Sequence, residues 1–283
     1  MSRSVIFVLT FLFAATTSFA GKIERATEAV SPKEAKSMEI DGNLGAGTFK
    51  ITTDNITELA MFDIEYDDRA VRYNVDYYEK GERGILTFES DRRGNWNANG
   101  EENKWNIVLS DKYESILNLD IGACDAKFDF GGLPLRELNI DMGAASGLIE
   151  FSKPNPIRMD DFKMDAGASS LDMGMIGNAN FGKFEFNGGV GSFNLDFRGK
   201  YEGESEISIE IGLGSAEITL PASIPIRIES GESIWLSSVE FHGDPALNIE
   251  DDEYESEDFE KSKTRIILHL IIGLGSADVY FKN

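Results

Sequence analysis

One glycine-centred phrase recurs along the chain, and its spacing restricts the fold more than any other feature. Leu117-Asn-Leu-Asp-Ile-Gly-Ala-Cys-Asp125, Leu138-Asn-Ile-Asp-Met-Gly-Ala-Ala-Ser146 and Ile207-Ser-Ile-Glu-Ile-Gly-Leu-Gly-Ser215 are variants of it. The central glycines are Gly122, Gly143, Gly167, Gly189 and Gly212, at steps of 21, 24, 22 and 23 residues. An earlier copy is centred on Gly45 and a late one on Gly273. A period this short and regular implies a stacked array, in which each repeat buries its apolar face against its neighbours.

Take the glycine as position zero. Positions −5, −3 and −1 are mostly apolar (Leu117, Leu119, Ile121; Ile207, Ile209, Ile211), and −4 and −2 mostly polar (Asn118, Asp120; Ser208, Glu210). A period of two marks a half-buried strand. The alternation resumes after the glycine, as in Phe193, Leu195 and Phe197. Each repeat reads as strand, glycine corner, strand and loop. A propeller blade takes roughly 40 residues, so coils of about 22 residues predict an all-β, right-handed parallel β-solenoid. The corners Gly45, Gly122, Gly143, Gly167, Gly189, Gly212 and Gly273 are expected to take positive φ or to lie against the next coil. Position +2 is small throughout, and position +3 is Ser146, Ser170, Ser192, Ser215 and Ser276. Leu119, Ile140, Met164, Phe186 and Ile209 are expected inside, with Asp120, Asp141, Asp165 and Glu210 outside beside them.

Residues 1–20 read as a secretory signal peptide: Arg3 begins it, Val5 to Ala15 form its apolar core, and Ser18-Phe-Ala20 offers small residues for cleavage. The core is too short to span a bilayer, and no transmembrane segment is expected after cleavage. Residues 21–36 read as a linker or leader. Residues 37–283 read as one solenoid, with its regular array at 113–221. Leu59 to Ser110 is β-rich without the corner phrase and is expected to form irregular coils or an antiparallel excursion. Trp96 and Trp105 flank a Gly/Asn-rich loop there; packing is the first reading of both, an exposed aromatic platform the second. The step of 61 residues from Gly212 to Gly273 leaves room for extra strands. The acidic run Glu250 to Glu260 reads as a mobile surface loop, and the final glycine phrase is expected to close the fold.

Ile211-Gly-Leu-Gly-Ser-Ala-Glu-Ile-Thr-Leu-Pro221, Ile224-Pro-Ile-Arg-Ile228 and Gly273-Leu-Gly-Ser-Ala-Asp-Val279 together resemble the C-terminal β domain of LiaF-like cell-wall-stress proteins, here residues 205–283. Gly45-Ala-Gly-Thr-Phe-Lys-Ile51 and the corners at 122, 143 and 167 resemble the toast-rack domain family. The resemblance covers roughly residues 37–283. It implies a stacked β-solenoid related to bacterial adhesin domains, and it supplies no catalytic residues. LiaF-like proteins are membrane-anchored regulators of a histidine kinase, and this chain departs from them in having no transmembrane helix.

The formal net charge is −23, from 50 acidic and 27 basic residues. Such a surface repels nucleic acid and anionic membranes. It permits divalent cations, cationic peptides or a basic protein as partners. The lone Cys124 sits at the small +2 position and reads as core filler, so no disulfide framework exists. The serine row lacks a base within its motif, since the two histidines, His242 and His269, lie outside any nucleophile pattern.

The most suggestive chemistry is the acidic ladder Asp120, Asp141, Asp165 and Glu210. Stacked at about 4.8 Å, like charges destabilise one another unless water, a raised pKa or a cation offsets them. A solvated face is the first reading. A partner-binding stripe and a weak calcium site of oxygen ligands are the others, and no other cofactor is indicated. The expected function is that of a non-catalytic, exported envelope protein, periplasmic or at the cell surface. It would act as an interaction or scaffold module for an envelope protein or glycan, with envelope-stress sensing as a narrower form. A surface adhesin or glycan binder is the runner-up, and a carbohydrate-active enzyme on a β-helix a distant third.

Overall fold

The computed structural model describes residues 23–92, 103–230, 237–243, 247–250 and 253–283. Residues 1–20, whose sequence reads as a signal peptide, and Trp96 lie outside this set. In chain order the strands are β1 (Ile23–Val30), β2 (Ser37–Asp54), β3 (Ala60–Asp67), β4 (Val71–Lys80), β5 (Arg83–Arg92), β6 (Asn103–Ser110), β7 (Glu114–Asp129), β8 (Leu135–Glu150), β9 (Met159–Gly174), β10 (Phe181–Asp196), β11 (Glu204–Pro221), β12 (Ile226–Ser230), β13 (Ser237–His242), β14 (Leu247–Glu250), β15 (Glu253–Glu255) and β16 (Arg265–Lys282). The long strands β2, β7, β8, β9, β10, β11 and β16 are successive parallel neighbours in one sheet. This is the all-β parallel solenoid that the repeat predicts.

The corner differs from expectation. The strand does not end at the glycine. Each long strand runs through it, and the pairing passes over one step: Ile121 faces Met142 and Ala123 faces Ala144. Burial explains why. Leu119 and Ile121 point inward, Gly122 and Ala123 both point outward, and Cys124, Ala126 and Phe128 point inward again. Two consecutive outward residues invert the phase of the alternation, so both halves of the strand face one interior. Of the two reasons offered for the glycine, close approach is the correct one. A Cβ on Gly212 would stand 2.8 Å from the carbonyl oxygen of Gly189 below it. Positive φ falls instead at position +2 of the last coils, at Gly214 (143°) and Gly275 (144°).

Leu119, Ile140, Met164, Phe186, Ile209 and Leu270 stack in register, and none is more than 3% exposed. Beside them runs a file of rings in which Phe128, Phe130, Phe151, Phe162, Phe184 and Phe197 follow one another at centroid separations of 4.9–5.8 Å. Each ring hands its edge or tilted face to the next, an arrangement that adds to plain area burial. The loops between coils are stapled by buried asparagines. Asn155 donates to the carbonyls of Leu135 and Ala179, at 2.7 and 3.2 Å. Asn178 donates to the Phe151 carbonyl at 2.9 Å and accepts from the Lys200 amide at 3.0 Å.

Both ends follow one design. β5 and β6 lie side by side on the two halves of β2, and β12 and β13 lie in the same way on the two halves of β16. Each pair is a coil divided at its corner, so neither carries the glycine phrase. Antiparallel strands complete the ends: β1 on β3 and β3 on β6, β4 on β5, β15 on β12 and β14 on β15. Trp105 is buried in the first end cap, 6.2 Å from Phe62 and 6.1 Å from Phe88, with its indole N–H donated to Asn103 at 2.8 Å.

Three expectations are corrected here. Residues 21–36 do not form only a linker, because Ile23–Val30 pairs along its whole length with β3. The last glycine phrase does not close the fold, because β16 lies between β11 and the earlier β12. The acidic run is not simply a loop. Glu253–Glu255 is a strand, and Phe259 is 1% exposed beneath the guanidinium groups of Arg227 and Arg265, 4.4 and 4.9 Å from its ring centre. Glu255 and Glu260 each lie 2.7 Å from Arg227, which offsets the local negative charge.

Candidate functional site

The outward residues of the first half of each coil form parallel rows, because β-strands in register place equivalent side chains one above another. The −2 row runs Asn43, Asp120, Asp141, Asp165, Asn187 and Glu210. Asp120, Asp141, Asp165 and Glu210 are all exposed, as their alternation predicts. The neighbouring −4 row runs Asp41, Asn118, Asn139 and Lys163.

The two rows and β5 line an open groove of about 600 Å³. Asp41, Glu89, Asp120, Asp141 and Asp165 supply its carboxylates, and Lys163 its cation. Glu210 lies two coils beyond Asp165 and does not line it. The sequence picked out the −2 row for its charge. It missed the contribution of the −4 row, although the same period displays it, and it missed Glu89, which reaches the groove only because β5 lies beside β2.

Polar groups in the groove are chained rather than isolated. Asn139 donates to the Asn118 oxygen at 2.8 Å, and Asn118 donates to Asp41 at 2.8 Å. Asn187 donates to Asp165 at 2.7 Å. Lys163 lies 3.2 Å from Glu185. Asp141 occupies the crowded position. Partial burial, then the charges of Asp120 and Asp165, push its carboxyl above the usual carboxylate range. The ladder carboxylates do not converge on a common point. Among the described residues, the group of three acidic or histidine side chains whose ligand atoms all come within 4.8 Å of one another is elsewhere, at β13 and β16.

The other candidates are placed as follows. Ser146, Ser170 and Ser192 line a second, shallower hollow of about 370 Å³ with Asp172 and Asn194. Ser170, Ser192, Ser215 and Ser276 are in register. His269 stands 3.2 Å from Glu229 and 3.8 Å from Glu206. Cys124 is buried, and that burial raises its thiol pKa to about 11, which keeps it unreactive at neutral pH. In position +1 the alanines of the early coils give way to Val190, Leu213 and Leu274, an in-register apolar row 45–52% exposed. Among the described residues no helix is long and apolar enough to cross a membrane.

Comparison with known proteins bears on the fold. No curated protein matches the chain significantly. Solved structures do. A candidate cell adhesion protein from Clostridium sporogenes is 22% identical, with a TM-score of 0.52 over 92% of this chain and 100% of that one. A candidate adhesin from Bacteroides fragilis is 12% identical, with a TM-score of 0.39 over 91% and 97%. A candidate lipid-binding protein from Parabacteroides distasonis is 15% identical, with a TM-score of 0.32 over 92% and 97%. The first of these shares the fold. The family model described as the N-terminal domain of toast_rack, DUF2154, matches residues 19–160. That span is half of the chain and takes in the first end cap and the first three corner glycines, so the chain belongs to the toast-rack family.

Proposed function

We propose that this protein is an exported, non-catalytic component of the cell envelope that works by binding, as an interaction or scaffold module. The observation that carries this reading is the groove. It offers a row of carboxylates, Asp120, Asp141 and Asp165, beside a row in which the amides of Asn118 and Asn139 stand between Asp41 and Lys163, on strands that hold every member at fixed spacing. Such a surface is pre-organised, so a partner loses little to its reordering on binding. Its charge selects a basic protein segment or a neutral, hydroxyl-rich chain and disfavours polyanions. Export rests on the Met1–Ala20 segment, which implies a periplasmic or surface location. The candidate cell adhesion protein that shares the fold supports a surface role. Reporting envelope stress is a narrower version of the same proposal and requires a membrane-bound receiver.

The amide–carboxylate chains favour glycan binding as a second reading, because sugar hydroxyls both donate and accept. One experiment addresses both. Purified protein is used to capture partners from its own envelope fraction, beside the variant Asp120→Asn/Asp141→Asn/Asp165→Asn. Loss of capture in the variant, with its melting temperature retained, supports the groove as the binding surface. Competition by soluble envelope glycan then separates the two readings. Undiminished capture by the variant places the binding surface elsewhere.

A further inference from the structure

The geometry points to a divalent transition-metal site at the C-terminal end of the solenoid, formed by Glu240, His242 and Asp278. Glu240 and His242 are two apart on β13 and therefore project from the same face. Asp278 is the register partner of Glu240 on β16, and Tyr280 that of His242. The parallel pairing thus sets an imidazole and two carboxylates side by side, although Asp278 is 36 residues away from His242 in the chain.

The donor atoms already approach a coordination shell. His242 Nε2 and Asp278 Oδ1 are 2.9 Å apart, and one atom from each of the three residues lies within 4.8 Å of the other two. An ion with bonds of about 2.0–2.2 Å to N and O requires ligand atoms roughly 2.8–3.6 Å apart, by the geometry of octahedral and tetrahedral shells with those bond lengths. The remaining closure falls within the rotamer freedom of the exposed Glu240. The His242 ring is held in place by stacking on Tyr280, with centroids 4.5 Å apart and planes inclined by 14°. This orients Nε2 towards Asp278 before any ion arrives, as orienting contacts do for metal-ligating histidines.

The donor set indicates the class of ion. An imidazole with two carboxylates suits zinc and its first-row neighbours, whereas calcium takes oxygen ligands. This site is separate from the acidic ladder and does not depend on the proposed binding role. Its consequence is structural. β13 meets the stack through the second half of β16, and an ion bridging β13 to β16 would clamp that half-coil to the stack. It would do so where a short edge strand is easily lost.

The test is a zinc titration of protein without a histidine tag, followed by calorimetry and by thermal melting with and without chelator. The expected result is one equivalent bound and a melting temperature that rises with zinc and falls back when the ion is removed. His242→Gln and Asp278→Asn should each weaken binding by more than about tenfold, the loss that even an outer-shell substitution commonly causes. Both variants should melt with the wild type when no metal is present, because the cluster is solvent-facing. His269→Gln is the control, since His269 also lies between two carboxylates but, among the described residues, belongs to no three-donor cluster. It should bind as wild type does. Absence of zinc binding at millimolar concentration overturns the proposal. So does binding that survives His242→Gln or is lost in His269→Gln.

Discussion

The carbonyl oxygen of Gly122 lies 2.8 Å from the point where a Cβ on Gly143 would stand. The same contact recurs up the stack, at 2.6 Å for Gly273 over Gly212. An alanine at such a point forces the two coils apart, whereas an alanine at an open glycine does not. Gly143→Ala should destabilise the protein by about 1–3 kcal/mol, the usual range for overpacking. Gly174→Ala, whose Cβ would meet only the Glu150 side chain at 3.7 Å, should stay within about 0.5 kcal/mol of wild type. Urea denaturation of the two variants checks this. Equal stabilities would remove close approach as the reason for the corner glycine.

Asp141 gives the acidic ladder a pH signature. Its carboxyl is raised in the folded state, so the folded chain binds this proton more tightly than the unfolded chain. Stability from this group is therefore greatest at low pH and falls as pH rises from the ordinary value of 3.8 through the raised one. Asp141→Asn should stabilise the protein at pH 7, by less than about 1 kcal/mol because the site is exposed and screened. Near pH 3 the difference should vanish, since the native carboxyl is then neutral. Melting curves across that range are the measurement, and a variant less stable than wild type at pH 7 would contradict the account.

Asn178 should be far more important to stability than the exposed asparagine Asn187 of the −2 row. It is 6% exposed and serves two backbone groups, the Phe151 carbonyl and the Lys200 amide, in neighbouring coils. Asn178→Leu leaves both without this partner inside the fold. The buried Phe151 carbonyl left unsatisfied should alone cost about 1–3 kcal/mol, and the part-buried Lys200 amide should add to that loss. Asn187→Ala removes one exposed bond to Asp165 and should change stability by no more than about 0.5 kcal/mol.

Calcium should leave the melting temperature unchanged. The ladder presents carboxylates one per coil, and no three of them bring an oxygen each within 4.8 Å, whereas calcium needs six to eight oxygens about 2.3–2.6 Å away. A concentration on the order of 10 mM, above the usual dissociation constants of extracellular calcium modules, would reveal even a weak site by ligand linkage. A shift present in wild type and lost in Asp141→Asn/Asp165→Asn would restore the ladder as a cation site.

The amino-acid sequence by itself determined the repeat, the parallel stacking and the facing of the side chains. Those depend on local rules: a strand alternates strictly, a coil must fit its period, and a one-residue slip would expose Leu119 and bury Asp120. Close approach at the corner was also one of the two options that the glycines allow. Tertiary structure decided what the rows become. Whether Asp41, Asn118 and Asp141 share a groove with Glu89 depends on β5 lying beside β2, and the separation of 48 residues between Asp41 and Glu89 leaves no periodic trace. The ends were hidden for the same reason. β16 enters between β11 and β12, so the last phrase in the chain is not the last coil in the stack. The meeting of His242 with Asp278 depends on that insertion, because chain order sets only which residues are neighbours along the backbone. Which strands are neighbours across the sheet is set by pairing between segments far apart in the chain.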